Sequence, residues 1–147
     1  TYLYVFSLSP ESGEIIWTYT IPSGYRPSSL AVSSEGNVYV FYLVYPLTAW
    51  QPYLYLQAIS STGNYLWTKS LGGPHTVQPP MIDSQGNLYF AISKAIYSLD
   101  KQGNQLWQYY LSEAYAPYGW QQADIGVVLS SDGVLYLSGR GAIVALK

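Results

Sequence analysis

The sequence predicts an all-β fold of repeated four-stranded antiparallel sheets, on three observations. Ser7, Gly13 and Trp17 recur as Ala58, Gly63 and Trp67 and again as Ser98, Gly103 and Trp107, with Trp four positions after Gly in every copy. A second phrase recurs between them: Gly36-Asn37-Val38-Tyr39-Val40, Gly86-Asn87-Leu88-Tyr89-Phe90 and Gly133-Val134-Leu135-Tyr136-Leu137. Each copy of it follows a polar run and an earlier apolar run, the pattern of a β-hairpin closed by a glycine turn. No segment keeps a helical period, whereas short apolar runs bounded by turn residues are frequent.

Merging the phrases in chain order yields the elements. Residues 1–8 read as one orphan strand, the last of a preceding sheet. The first unit spans 14–59, with strands over 14–20, 29–33, 37–44 and 53–59 and the Trp17 strand standing first. The second unit spans 64–99 and the third 104–147. Four short antiparallel strands in a repeat of roughly 40–50 residues are the signature of a β-propeller blade. About three blades and an orphan strand fall short of the ~4–8 blades of a closed propeller. The chain is therefore expected to be a segment of a larger ring or to complete one with further copies. A fourth motif that opens at Ala145-Leu146-Lys147 favours the segment.

The three Trp residues are expected to dock one blade on the next. A flat ring on an innermost strand fills the wedge between two sheets, and its indole N–H can reach a neighbouring backbone carbonyl. Gly13, Gly63 and Gly103 then supply tight turns between blades with positive φ. The three motifs read as one turn repeated.

The motif reads Ser7-Leu8-Ser9-Pro10-Glu11-Ser12-Gly13-Glu14-Ile15-Ile16-Trp17 in the first copy. It reads Ala58-Ile59-Ser60-Ser61-Thr62-Gly63-Asn64-Tyr65-Leu66-Trp67 in the second and Ser98-Leu99-Asp100-Lys101-Gln102-Gly103-Asn104-Gln105-Leu106-Trp107 in the third. This resembles the quinoprotein, or PQQ-like, β-propeller repeat, Ala-x-Asp-x-x-Thr-Gly-x-x-x-Trp. Ser replaces the family's Ala in two copies, and its Asp is kept only as Asp100. Some members are dehydrogenases that bind pyrroloquinoline quinone and Ca²⁺ and carry a vicinal Cys pair, which a chain without Cys cannot form. Others, such as the outer-membrane assembly lipoprotein, are scaffolds that hold partner proteins. The resemblance implies a scaffold of this second kind, with no cofactor. A fragment of a quinone-dependent dehydrogenase is the enzymatic alternative.

Composition narrows the function further. Charged residues are 10% of the chain, against about 25% in ordinary domains, while aromatics reach 17% with 17 Tyr. A formal net charge of −2 leaves no basic patch for nucleic acid or for an anionic membrane surface. The apolar stretch 38–50 is short and holds Pro46, so no membrane insertion is expected. Without Cys there is no disulfide, thiolate metal site or Cys nucleophile. No basic-then-apolar leader opens the sequence, so an export signal is removed or lies upstream. A Tyr-rich surface with few titrating groups fits an extracellular, cell-surface or periplasmic place.

Candidate chemistry is sparse, and no catalytic residue and no metal site are expected. Glu11, Glu35, Asp83, Asp100 and Asp132 sit beside turn glycines, where carboxylates cap their own turns. Glu113 and Asp124 are the one conceivable carboxylate pair for glycoside hydrolysis. His75, the single His, has no acidic, His or Cys companion nearby in sequence. The longer links, by contrast, are aromatic: 45–52 carries Tyr45 and Trp50, and 115–122 carries Tyr115, Tyr118 and Trp120. Strand alternation places both at one end of the blades, together with Tyr25, Arg26 and His75. Tyr and Trp bury much area at small entropic cost, which suits recognition. The expected partner is a protein or further copies of this chain, with carbohydrate as a second class. A self-assembling structural repeat is the alternative to a binding module.

Overall fold

The computed structural model describes residues 2–22, 25–46, 51–73, 77–111, 126–139 and 142–146. The strands are β1 (Leu3–Leu8), β2 (Ile15–Ile21), β3 (Tyr25–Val32), β4 (Val38–Val44), β5 (Tyr53–Ile59), β6 (Tyr65–Gly72) and β7 (Met81–Ile82). They continue as β8 (Leu88–Ile92), β9 (Ala95–Leu99), β10 (Gln105–Tyr110), β11 (Gly126–Leu129), β12 (Leu135–Gly139) and β13 (Ala142–Leu146). In order they form a two-stranded sheet β1-β2, the four-stranded sheets β3-β4-β5-β6 and β7-β8-β9-β10, and a three-stranded sheet β11-β12-β13. All pairings are antiparallel.

The sheet boundaries lie one strand away from those expected at 14–59, 64–99 and 104–147. Each Trp strand closes a sheet: β2 pairs with β1, β6 with β5 and β10 with β9. The physical reason is the turn. Ser60 N donates to Asn64 O and Gly63 N to Ser60 O, at 2.8 and 3.0 Å, so the chain folds straight back onto the strand it has just left. The small residue and the Trp of one copy become cross-strand partners, as in Ser7 with Trp17 and Ala58 with Trp67. These turns lie within a sheet, and the chain passes to the next sheet only after the Trp strand. Residues 1–8 are thus not an orphan strand, because β1 has β2 beside it. The turns also differ in length: Gly13 N bonds Ser9 O, four residues back, while Gly63 and Gly103 reach back three.

The Trp strands are edge strands rather than innermost ones. Between sheets the strands that approach each other are β1 with β3, β3 with β7, and β7 and β8 with β11, none of them a Trp strand. β7 is short because Pro79 and Pro80 precede it and offer no N–H to a ladder.

The central strands are apolar without alternation because both of their faces are covered. On β4, Val38, Val40 and Tyr42 join Val5, Ile21 and Ile59 in a core shared with the β1-β2 sheet. Tyr39 and Phe41, between them in sequence, face the other way and pack with Leu54, Leu56, Leu88 and Phe90 against the next sheet. Phe41 meets Phe90 edge to face with ring centroids 5.1 Å apart. A third core, with Ile96, Val127, Leu135 and Leu137, joins the β7–β10 and β11–β13 sheets.

The Trp side chains tie these layers together. Trp17 Nε1 donates to Ser61 O, and Trp67 Nε1 to Lys101 O, both at 2.9 Å and both across to the following sheet. Each indole rests on that sheet's turn glycine: a Cβ on Gly63 would sit 2.9 Å from the Trp17 ring, and one on Gly103 would sit 3.0 Å from Trp67. Successive antiparallel sheets, stacked face to face with their first strands converging, define the architecture. The fold is a partial β-propeller.

Candidate binding face

Strand alternation separates two ends. The glycine turns at Gly36, Gly63, Gly86, Gly103 and Gly133 close hairpins at one end. The links β4–β5, β6–β7 and β10–β11 leave and enter the sheets at the other. The β8–β9 link at that same end is tight, with Ser93 at φ 54°, so not every connection there is long.

The glycine-turn end is built for rigidity. Asp83 Oδ1 accepts from Gln85 N and Asn87 N at 2.9 and 2.8 Å, and its Oδ2 accepts from Asn87 Nδ2 and the Tyr89 hydroxyl at 2.8 and 3.0 Å. Burial works against the charged form, but these hydrogen bonds outweigh it and hold the Asp83 carboxyl below its ordinary value. Asp100 caps its turn in the same way through Gln102 N, Asn104 N and Asn104 Nδ2. Its carboxyl is lowered likewise, against a small cost of burial. Lys101 Nζ meets Glu35 Oε1 at 3.0 Å, an exposed bridge between neighbouring sheets and the one ion pair among the described residues.

The opposite end holds a cleft of about 620 Å³ between β3 and the segment that leads into β7. Arg26, Ser28, Ser29 and Leu43 line one side and Val77 and Gln78 the other, with Pro27 and Pro79 stiffening the walls. The Arg26 side chain is exposed and carries a fork of donors. Ser29 Oγ is buried with no hydrogen-bond partner. Ser28 Oγ lies 3.4 Å from both Val77 N and Val77 O, at the weak limit of hydrogen bonding, and links the two walls. Leu43 and Val77 give the two walls apolar surface.

Of the residues expected to bind, Arg26 lines this cleft, and Tyr45, 48% exposed, follows β4 at the same end. Tyr25 opens β3, with its backbone opposite Val44. The Tyr25 side chain, and Trp50, His75, Tyr115, Tyr118 and Trp120 altogether, lie outside the described residues. So do Glu113 and Asp124. Among the docking residues, Trp17 and Trp67 are half-buried on Gly63 and Gly103. Trp107 is 38% exposed, and a Cβ on Gly13 would meet no described atom within 4 Å. Among the described residues no three His, Cys, Asp or Glu side chains group closely enough to share a metal ion.

Ser28, Ser29, Leu43, Val77 and Gln78 were not legible as site residues. They come together only because β3 and the approach to β7 run side by side. Pro79 and Pro80, which keep the approach to β7 from extending its ladder, and Pro27, beside the irregularity in β3, are the one available signal. A buried polar relay also escaped the sequence: Gln57 Nε2 donates to Tyr19 Oη at 2.6 Å, while the Tyr42 hydroxyl reaches Gln57 Oε1 at 3.4 Å.

No protein-family model matches the chain, and no curated protein matches it. Among solved structures it is similar to a protein of unknown function from Bacteroides caccae, with a TM-score of 0.58 and 14% identity over 92% of this chain and 47% of that one. It is also similar to virginiamycin B lyase from Staphylococcus aureus, with a TM-score of 0.47 and 17% identity over 100% of this chain and 45% of that one. The chain therefore spans about half the length of each. At such identities the likeness concerns the fold alone.

Proposed function

We propose that this chain is a non-catalytic β-propeller scaffold of the PQQ-like repeat type that works outside the cytoplasm. It holds a protein partner at the end where the long connections meet the sheets. The observation that carries this reading is the cleft between β3 and β7. An exposed guanidinium at Arg26 and apolar surface from Leu43 and Val77 line one groove. That combination suits an extended peptide segment bearing a carboxylate. Arg26 forks onto the charged group, and apolar side chains of the peptide cover Leu43 and Val77. The exposed Tyr45 ring, which follows β4 at the same end, adds recognition area there.

The test is to pan a phage-displayed random-peptide library against the immobilised chain and to counter-screen with Arg26→Glu. Enrichment of acidic peptides that lose binding to Arg26→Glu, with circular dichroism unchanged, supports the reading. Peptides that bind both forms equally, or no enrichment at all, overturn it.

A further inference from the structure

β3 carries one residue more than its partner strand where it faces the second sheet. Arg26 pairs with Leu43 and Pro27 with Tyr42, but the next residue to pair is Ser29, with Phe41, so Ser28 has no place of its own in the ladder. A bulge of this kind re-aims a side chain. β3 is also the edge of its sheet, and the segment it approaches is the one that leads into β7. The re-aimed Ser28 hydroxyl meets Val77 there, 49 positions along the chain.

The contact has the form of a strand pairing without the strand. Ser28 Oγ accepts from Val77 N and donates to Val77 O, both at 3.4 Å. In an antiparallel ladder one residue of the neighbouring strand makes that same exchange through its own C=O and N–H, at about 2.9 Å. At Val77 one hydroxyl serves both groups, and each bond is long. No backbone-to-backbone hydrogen bond reaches Val77 among the described residues. Its side chain is buried in a core with Phe41, Leu54 and Leu56, which holds its main chain in place before any ligand arrives. Beyond it Pro79 and Pro80 carry no N–H, so a ladder begun at Val77 stops there.

We infer that the Ser28 hydroxyl is a placeholder: an extended peptide displaces it and pairs its own backbone with the N–H and C=O of Val77. This rests on the peptide cleft proposed above and adds the way the ligand is held in register. The Arg26 guanidinium, two positions before Ser28, takes the carboxylate, and Val77 takes the N–H and C=O of one nearby peptide residue. The ligand class is therefore an extended acidic peptide with one unsubstituted backbone amide at a set distance from its acidic side chain.

The test uses the whole chain and the most enriched acidic peptide from the panning, synthesised with each backbone amide replaced in turn by an ester. Fluorescence anisotropy reads the affinity. One position is expected to lose about 3–10-fold, the worth of one backbone hydrogen bond, while the others stay within about 2-fold. Ser28→Ala removes the competing hydroxyl and is expected to bind the unmodified peptide about 3-fold tighter. Ser28→Val sets methyl groups against Val77 N and O and is expected to bind it about 10-fold more weakly, with circular dichroism unchanged. If either variant loses its fold, the ester scan on the unaltered chain decides. Tolerance of an ester at every position, or weaker binding by a folded Ser28→Ala, overturns the inference; the cleft reading still stands if Arg26→Glu abolishes binding. An absence of acidic peptides, or binding indifferent to Arg26→Glu, overturns both.

Discussion

The indole of Trp17 lies flat against Gly63 of the following sheet, so close that a Cβ there would stand 2.9 Å from the ring. The same glycine has φ 83°. Two independent constraints, backbone sign and contact distance, thus fall on one residue.

Gly63→Ala is expected to cost about 3 kcal/mol, from a left-handed non-glycine backbone and from overpacking against the ring. Gly13→Ala, at φ 72° with open space above it, is expected to cost only about 1 kcal/mol. Urea unfolding of the two variants at low protein concentration measures the difference, and equal costs would mean that the ring contact is energetically idle.

Trp67→Ala should destabilise the chain by roughly 3–5 kcal/mol, since it empties the space between two sheets. Trp67→Phe keeps most of the area and loses the bond to Lys101 O, a loss of about 1 kcal/mol. Trp107→Ala, at a ring already 38% exposed, should cost less than Trp67→Ala. Thermal melts rank the three.

Tyr39 and Tyr89 hold equivalent places in successive blades, yet their hydroxyls differ. Tyr89 donates to Asp83 at 3.0 Å, whereas the buried Tyr39 hydroxyl has no partner because Ser33 stands where Asp83 does. Tyr89→Phe is expected to cost about 1–2 kcal/mol and Tyr39→Phe to leave stability unchanged or raised. Chemical denaturation of both variants decides it.

Asp83 and Asp100 have folded pKa values below the ordinary carboxylate value. Their contribution to stability is therefore full above the unfolded value of about 3.9 and is lost as pH falls through the lower folded values. The melting temperature should drop in that acid window. Asp83→Asn should be less stable at neutral pH and flatter below it, as melts from pH 7 to strongly acidic conditions would reveal.

The repeat was legible because turns advertise themselves. Glycine at positive φ and polar caps such as Asp83 and Asp100 act on their own few residues, so one chain position reports one structural event. The cleft was not legible, because Ser29 and Gln78 are far apart in sequence and nothing local marks either as a neighbour of the other. The place of the Trp strand is not legible either, for a related reason. Periodicity identifies a strand but is silent on which neighbour it pairs with, and only the short return from Ser60 to Asn64 decides that β6 belongs with β5.

By itself, then, the sequence determined the β-repeat, its turn glycines and the docking rings of Trp17 and Trp67. These follow from short-range sterics and from hydrophobic runs, which any single copy contains. The tertiary structure alone decided which strands share a sheet, which copy's glycine lies beneath which indole, and that Arg26 and Ser29 line one cleft with Val77 and Gln78. Those relations join residues tens of positions apart, and only packing of one sheet on the next brings them together.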